Sequence, residues 1–557
     1  MIKNLKYLTK LSYQILSKIW LVIDDYSCLD YLKWIQCNQI IIRNVKIDFT
    51  NGDFIDSFLI NHNNSNNQIL KLDISYNFTN IIHSDQLNQE LQELYVGAGP
   101  RFIIGNSLPK NLKILHLFDY NSNSSDLDLV IDNNLIEFKV EMEYLYKINN
   151  KSFSNQMEIL KFGNDFNQVI SSLPNNIKCL DLGSFDHPIT FQWPNNLKVL
   201  KMNHYSWSMN HLFLPNTIVE LDISGSIESF ENLWPSSLTK LTFANINLFL
   251  KPNSLPPSCK ILNFTNYNLW SEMVEFDIIP NSVVELNLGY YFDLKLECLN
   301  LKMKKNLKIL DLGHCFNLEF NSVESLPNGL EILNLGRRFN QKLLNLPSSC
   351  LKLEMNFIYE YQHIIGKNVL NIGLQELKLQ YPSKFPLEKD ILPNTLKKIE
   401  FDDRFNSFLK PNSIPCNVEH IKFNCKNYKH ILSKNIFPSG LKSLILSTFT
   451  INNIKIPRNV RNLVLNYKDQ EIPINFIPRS VTSLYFNGLK SCNLNGLENL
   501  KYCSFNQLLL NCDDDDKMEF FKNVPKSCKK IYFNNDLDLN FDLLPNHLVL
   551  IKDNVYN

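Results

Sequence analysis

The chain has 557 residues, with 56 basic and 56 acidic side chains and a formal net charge of zero. A balanced charge gives no general attraction to nucleic acid or to an anionic membrane, and no apolar stretch approaches the roughly 20 residues that cross a bilayer. The 13 cysteines are an odd number, and several take the place of apolar residues, which favours a reducing compartment. We therefore expect a cytoplasmic protein whose partners include neither nucleic acid nor a membrane.

Residues 1–40 differ from the rest of the chain and predict a short helical segment. Apolar side chains follow a helical spacing on both sides of a polar break, at Ile15, Leu16, Ile19, Leu29, Leu32 and Trp34. The plain interpretation is a helical cap over the first coil of a repeat array.

The same spacing resembles a degenerate F-box, with Ser12 at the place where that family prefers proline. The resemblance implies that these six apolar residues bind a Skp-type adaptor. The chain would then be the substrate receptor of a cullin ubiquitin ligase. The cap and the F-box-like segment are alternatives for residues 1–40.

Residues 41–557 are built from a unit of about 22 residues that recurs about 23 times. The clearest copy, SLPNGLEILNLGRRFNQKLL, runs from Ser325 to Leu344. We number each unit from the apolar residue that follows its proline by three places, which is position 0. In the clearest copy, positions 0, +3, +5, +6, +9, +10 and +13 are Leu330, Leu333, Leu335, Gly336, Phe339, Asn340 and Leu343.

Each position has a physical interpretation. Positions +3 and +5 lie on one face of a short strand, because strand side chains alternate. The proline at −3 belongs in the turn before the strand, since it cannot donate a ladder hydrogen bond. Phenylalanine at +9 returns to the interior, and asparagine at +10 satisfies bend backbone. One coil alone buries too little to be stable, so the sequence predicts stacked coils: a repeat solenoid that is leucine-rich-repeat-like, curved and parallel in its β-strands.

These positions resemble the FNIP repeat, a leucine-rich-repeat-like unit of social amoebae and giant DNA viruses. Leu-Pro, the strand and Phe-Asn occur together at fixed offsets, as in the strings that begin at Phe166, Phe316, Phe339 and Phe405. The resemblance implies interaction through repeats and brings no catalytic or metal-binding residues. If the chain is viral, its expected location is the host cytoplasm.

No common catalytic or metal-binding motif is found in the sequence, so we expect a chain that is not an enzyme and takes no cofactor. Cys416, His420, Cys425 and His430 are close in sequence, but they lack the paired spacing of tetrahedral zinc sites. The acidic run 513–516 lacks the interspersed ligands and glycine of a calcium loop.

The candidate site is the exposed side of the sheet, where the residues at +4 align into one column. This column mixes acidic and basic residues, and tyrosines join it toward the C-terminus. The partner-binding residues that the sequence predicts are Tyr485, Tyr502, Tyr532, Lys378, Glu400 and Lys422. A protein partner is the leading hypothesis, because aromatic residues anchor interfaces. The alternatives are tyrosines that only fill gaps and a structural spacer with no specific partner.

Overall fold

The structure is a computed structural model that divides into two compact units, Met1–Leu269 and Trp270–Asn557. The residues described are 21–23, 39–42, 71–74, 81–83, 87, 89–96, 101–103, 108–117, 134–140, 153–164, 166–207, 212–225, 234–246, 250–265, 277–344, 346–381, 384–425, 428–433, 436–447, 454–471, 476–491, 497–506, 524–528, 530–533 and 549–552.

The first unit is a ladder of short parallel strands. They are β1 (Leu21–Ile23), β2 (Gln39–Ile42), β3 (Lys71–Ile74), β4 (Ile81–His83), β5 (Glu93–Val96), β6 (Arg101–Ile103), β7 (Ile114–Leu117), β8 (Glu137–Val140), β9 (Ile159–Lys161), β10 (Cys179–Asp181), β11 (Val199–Met202), β12 (Glu220–Gly225), β13 (Lys240–Ile246) and β14 (Ile261–Phe264). All except β4 and β6 pair in chain order, and β4 pairs with β6 in a separate two-stranded sheet.

The register of this ladder places equivalent repeat positions opposite one another. Leu94 pairs with Leu115, and Leu115 pairs with Phe138. All three are at position +3 and fully buried. Strands β5 and β7 alternate between half-buried and buried residues, so one face of the sheet closes the core and the other meets solvent.

Strand β1 and the first half of β2 precede residue 41, where the predicted array begins. They continue the same parallel ladder into β3, so the number of coils differs from the predicted 23. Ile23, inside the segment 1–40 that the sequence predicts to be helical, lies in β1. Its β-branched neighbours in β2, Ile40 to Ile42, explain why this stretch pairs as a strand. The six helical residues predicted between Ile15 and Trp34 lie outside the described residues.

The second unit repeats the arrangement. Its strands are β15 (Glu285–Asn287), β16 (Ile309–Asp311), β17 (Ile332–Leu335), β18 (Lys352–Met355), β19 (Glu376–Leu379), β20 (Lys398–Phe401), β21 (His420–Phe423), β22 (Ser443–Leu446), β23 (Asn462–Glu471), β24 (Ser483–Ser491), β25 (Tyr502–Asn506), β26 (Lys530–Phe533) and β27 (Val549–Lys552). They pair in parallel, each with the next. The return side contains the helix α1 (Ser322–Ser325) and two 3₁₀ turns, Leu296–Leu299 and Leu301–Met303.

The last coil departs from the predicted register by one residue. Spacing from its proline puts Ile551 at +3, but the ladder pairs Leu550 with Ile531 and Ile551 with Tyr532. Leu550 therefore holds the +3 place and Ile551 holds +4. The hydrogen bonds to the neighbouring strand determine the register, and they override a count of residues from the turn.

The return side of each coil buries the phenylalanine at +9. Phe292, Phe316 and Phe339 are at most 1 % exposed, and their rings stack along the array with centroids 5.8 and 6.1 Å apart. The aliphatic residues at +13 are buried with them, including Leu296 and Leu343. These rings form the second wall of the core, opposite the leucines at +3.

The bends between the walls depend on asparagine at +10, as predicted. Oδ1 of Asn317 accepts a hydrogen bond from the main-chain N–H of Asn340 at 2.7 Å. Asn340 does the same for Gln362 in the next coil, at 2.9 Å. Nε2 of His363 also lies 2.8 Å from the main-chain oxygen of Asn340. In these coils one asparagine amide therefore ties each bend to the following one.

Glycine at +6 has a steric reason where coils approach closely. Gly313 has φ of 81°, and a Cβ added there would lie 1.7 Å from the main-chain oxygen of Gly289. A side chain would clash with backbone that cannot move aside, and the left-handed conformation adds strain.

A second polar ladder runs along the turns before the strands, and the sequence pattern did not reveal it. Side chains at −1 donate to a main-chain oxygen of the preceding coil. The asparagines donate Nδ2 to the residue at −2: Asn176 to Asn155, Asn306 to Asn281, Asn417 to Asn394 and Asn459 to Ser439, at 2.8, 2.8, 2.9 and 2.9 Å. The hydroxyls of Thr395 and Ser480 instead reach the carbonyl at position 0, at 2.8 and 2.7 Å.

The predicted fold class is confirmed: both units are leucine-rich-repeat-like parallel β-solenoids with little helix. Within the described ranges, no helix has the length and apolar character to cross a membrane.

Candidate functional site

The candidate site is the solvent side of the sheet in the second unit, which we call the sheet face. It is formed by the side chains at +2 and +4, because those at +3 and +5 are buried. Parallel pairing keeps the +4 residues in one column from coil to coil. From β16 to β24 these residues are Asp311, Asn334, Glu354, Lys378, Glu400, Lys422, Ile445, Val464 and Tyr485.

One half of this column, which we call the charged half, runs from Asp311 to Lys422 and is held by contacts among its own side chains. Nζ of Lys422 lies 3.0 Å from Oε1 of Glu400, and Nζ of Lys378 lies 3.9 Å from the same oxygen. Lys378 also pairs with Asp402 at 3.9 Å. The structure therefore brings together three of the predicted partner-binding residues, but as an alternating ion ladder.

Further toward β16 the charged half continues as amide and carboxylate contacts. Nδ2 of Asn334 donates to Asp311 at 2.7 Å. Nδ2 of Asn356 donates to Glu354 at 3.0 Å, and Lys352 contacts the same carboxylate at 2.5 Å. Burial raises the pKa of Asp311 although a main-chain N–H from Gly313 and the Asn334 amide favour its charged form.

Asp402, at the edge of the charged half, is the most perturbed carboxyl there. Burial, followed by a hydrogen bond and charge repulsion from Asp403, raises the pKa of Asp402 to about 6. Its Oδ1 accepts the main-chain N–H of Arg404 at 3.1 Å. This carboxyl therefore changes charge near neutral pH, beside the ion ladder.

The other half, which we call the uncharged half, begins at Ile445. Ile445, Val464 and Tyr485 follow one another in the column on β22, β23 and β24. Each of the three is only half-buried. In the register Ser504 follows Tyr485, and Tyr532 follows Ser504. These three partly exposed side chains lie in a row and form an apolar strip beside the ion ladder.

The predicted tyrosines are thus separated along the sheet. Tyr485 and Tyr532 are both at +4 but have Ser504 between them, and Tyr502 is at +2 on β25. The side chains of Tyr502 and Tyr532 lie outside the described residues.

The sequence did not predict a cluster of side chains on the sheet of the first unit. Tyr95 and His116 are neighbours in that column, with ring centroids 4.7 Å apart. Lys71 lies 4.4 Å above the Tyr95 ring, and Nε2 of His116 lies 2.8 Å from Glu137. Burial lowers the pKa of His116 in spite of this carboxylate. Aligning successive units by register would have revealed the cluster.

The four residues with a superficial zinc spacing are not brought together. Cys425 is buried, with Sγ 3.2 Å from the main-chain oxygen of Asp402, whereas Cys416 is exposed. His430 contacts the main-chain oxygen of Asn406 at 2.9 Å, and His420 begins β21. Among the described residues, no three His, Cys, Asp or Glu side chains are grouped to hold a metal ion. Burial also raises the pKa of the Cys259 and Cys350 thiols to about 12, which makes these thiols inert.

Two solved structures are similar to the chain. CroV588, a circular leucine-rich-repeat protein, is 22 % identical, with a TM-score of 0.48, and the match covers 88 % of this chain and 66 % of that one. YopM from Yersinia enterocolitica is 16 % identical, with a TM-score of 0.32, over 86 % of this chain and 82 % of that one.

Comparison of sequences gives a more specific relationship. An FNIP repeat-containing protein of Dictyostelium discoideum is 27 % identical over 191 residues, which are 31 % of this chain and 51 % of the relative. The chain thus spans about half of the length of that curated relative. The model of the FNIP repeat family matches residues 231–267, 316–357, 384–426, 405–449 and 451–488. Two of these matches, 316–357 and 405–449, begin at the Phe-Asn pairs whose phenylalanine is buried and whose asparagine binds the next bend. The chain thus contains FNIP repeats within these ranges.

Proposed function

We propose that the protein is a non-enzymatic scaffold that binds a partner protein on the uncharged half of the sheet face. Repeat solenoids are typical of interaction scaffolds, because stacking produces an extended binding surface. The observation that carries the proposal is the change in the +4 column after Lys422, from charges that pair with one another to Ile445, Val464 and Tyr485.

This difference affects binding because the charged side chains already contact one another, whereas the uncharged side chains expose apolar surface. A lysine between two carboxylates is already paired. Breaking these ion pairs to contact another protein costs free energy, because the charged groups must be desolvated. Ile445 and Val464 have apolar surface that only a partner can cover, and covering it contributes about 25 cal/mol per Å². Tyr485 adds an aromatic ring and a hydroxyl, the combination that anchors many interfaces.

Lys378, Glu400 and Lys422 then form one border of the binding surface. Borders of interfaces are polar and contribute little to affinity, whereas they discriminate between partners. Tyr485 is the predicted partner-binding residue that remains at the centre of the proposed surface. Tyr502 and Tyr532, whose side chains lie outside the described residues, stay predicted partner-binding residues.

The test uses the purified full chain immobilised as bait in a lysate of cells that express it. The bait variants are Val464→Arg, at the centre of the proposed surface, and Asn334→Arg, at the same repeat position in the charged half. A protein retained by the original chain and by Asn334→Arg, but lost with Val464→Arg, supports the proposal once its binding is reproduced with purified components.

Retention of every captured protein by Val464→Arg would contradict the proposed surface. If the original chain itself retains nothing beyond what an unrelated bait retains, the structural spacer becomes the better interpretation. The F-box hypothesis for residues 1–40 stays a prediction, which recovery of a Skp-type adaptor and a cullin in the same experiment would support.

A further inference from the structure

A groove lies along the proline turns of the second unit, at the edge where the chain enters the strands. It has a volume of about 620 Å³. Pro415, Pro438 and Pro457, the −3 prolines of three successive coils, line it together with Ile414 and Phe437. We call it the turn groove. It is distinct from the sheet face, because its lining belongs to the turns rather than to positions +2 and +4.

The charged groups of the turn groove are mainly basic. Lys389, Lys455 and Arg458 line it and are exposed, and no ion pair involves any of them within the described part of the chain. Asp390 is the one carboxylate in the lining, and it pairs with Lys367 at 3.8 Å. The groove thus offers positive charge that the surrounding chain leaves available to an anionic group.

A buried hydroxyl also lines the turn groove. Ser413 is 2 % exposed, and its Oγ has no hydrogen-bond partner. Buried polar atoms are nearly always paired, so an orphaned hydroxyl beside a cavity marks a place where a ligand group can complete a hydrogen bond.

The dimensions of the groove favour an extended peptide. Its basic residues belong to two coils, with Lys389 in the coil that forms β20 and Lys455 and Arg458 in the coil that forms β23. The strands β20 to β23 are consecutive, so three spacings of about 4.8 Å separate the two ends, roughly 14 Å in all. An extended chain rises about 3.3 Å per residue, so four or five residues span this distance.

We propose that the turn groove binds a short extended segment of a partner protein that has acidic residues at both ends and apolar residues between them. The acidic ends would pair with Lys389 on one side and with Lys455 and Arg458 on the other. The apolar centre would lie on the prolines, Ile414 and Phe437, and a main-chain group of the peptide would reach Ser413. This surface is independent of the sheet face, so substitutions there leave peptide binding unchanged.

Fluorescence anisotropy with the purified full chain tests the proposal. The probe is a fluorescein-labelled peptide of sequence Glu-Leu-Val-Leu-Glu with a blocked C-terminus, at low ionic strength. Double substitution Lys455→Glu with Arg458→Glu should weaken binding at least tenfold. The matched control is Lys342→Glu, an exposed cation of the same unit outside the groove, which should change affinity less than twofold.

A second variant and two competitors distinguish the alternatives. Ser439→Trp places a large side chain in the groove from an exposed position and should abolish binding while the far-ultraviolet circular dichroism is unchanged. A peptide with lysine in place of both glutamates should not compete. Equal binding by the double variant would overturn the proposal. Competition by tripolyphosphate as strong as by the peptide would also overturn it, in favour of a site for small anions.

Discussion

The two halves of the sheet face have the same backbone and opposite chemistry. From Glu354 to Lys422 the +4 side chains alternate in charge, and Glu400 contacts both Lys378 and Lys422. From Ile445 to Tyr485 they are uncharged and half-buried. The FNIP-repeat scaffold holds both in the same register, so the difference arises entirely from side chains that the fold does not require. A repeat protein can thus stabilise one stretch of its surface with internal pairs and leave the adjoining stretch for a partner.

The largest effect on partner binding is expected from placing a charge in the uncharged half. Val464→Arg should weaken the proposed partner at least about 30-fold, or about 2 kcal/mol, because an unpaired guanidinium would be buried at the centre of the interface. Isothermal titration with the purified partner measures the loss. The position is half-exposed in the free chain, so unfolding by urea should change by less than about 1 kcal/mol. An unchanged affinity would place the partner elsewhere.

The second prediction concerns Asp402, the carboxyl at the edge of the charged half whose charge changes near neutral pH. Because burial raises the pKa of Asp402 to about 6, the folded chain holds this proton more tightly than the unfolded chain does. The contribution of this proton to the free energy of unfolding is therefore complete below the ordinary aspartate pKa, and it is lost as the pH rises through 6.

Asp402→Asn removes the titrating group and keeps the oxygen that accepts the Arg404 N–H. At pH 7.5 it should raise the free energy of unfolding by on the order of 1–2 kcal/mol. At pH 4 the advantage should disappear. Urea unfolding at the two pH values measures the difference, and a variant that is less stable at pH 7.5 would show that the Lys378 pair outweighs burial.

A smaller effect is expected from breaking the ion ladder at its centre. Glu400→Gln removes the carboxylate that lies between Lys378 and Lys422 and leaves two like charges near each other. We expect a loss of about 0.5–1 kcal/mol in urea unfolding, typical of a partly exposed ion pair. Partner affinity should change less than threefold, since these residues form the border. Glu319→Gln, at a carboxylate with no ion pair in the described ranges, is the control and should be neutral.

The smallest expected effect is that of salt on the proposed partner. Raising sodium chloride from 50 to 300 mM should change its affinity less than about twofold, because apolar contacts are not screened. Binding of the acidic peptide to the turn groove should fall several-fold over the same range. A steep salt dependence of the partner would move its binding site to the charged half or to the turn groove.

The repeat positions that build the core were predictable from the sequence because each has a single physical demand. Leu333 at +3, Phe339 at +9 and Leu343 at +13 are all buried, and Asn340 at +10 binds the next bend. An apolar residue at a fixed position of a stacked coil can be buried only in the shared core, so its spacing along the chain is enough to predict its location.

The contacts between coils were not predictable in the same way. Whether Lys422 faces Glu400, or Tyr95 faces His116, depends on which strand residues pair, and a shift of one residue changes every such neighbour. The final coil shows the limit, since its proline predicts a register that the ladder to β26 corrects by one residue. The polar residues at −1 were overlooked because asparagine, serine and threonine make the same kind of contact with different atoms.

The ladder of side chains at −1 has a consequence for how such a chain can change in length. Asn417 and Asn459 each donate to a main-chain oxygen of the coil before them, an atom that every coil supplies whatever its side chains. A whole coil can thus be gained or lost by unequal recombination. The side chain at −1 then has the same main-chain acceptor in the coil that becomes its new neighbour. The number of coils becomes an inheritable variable that is independent of the binding chemistry.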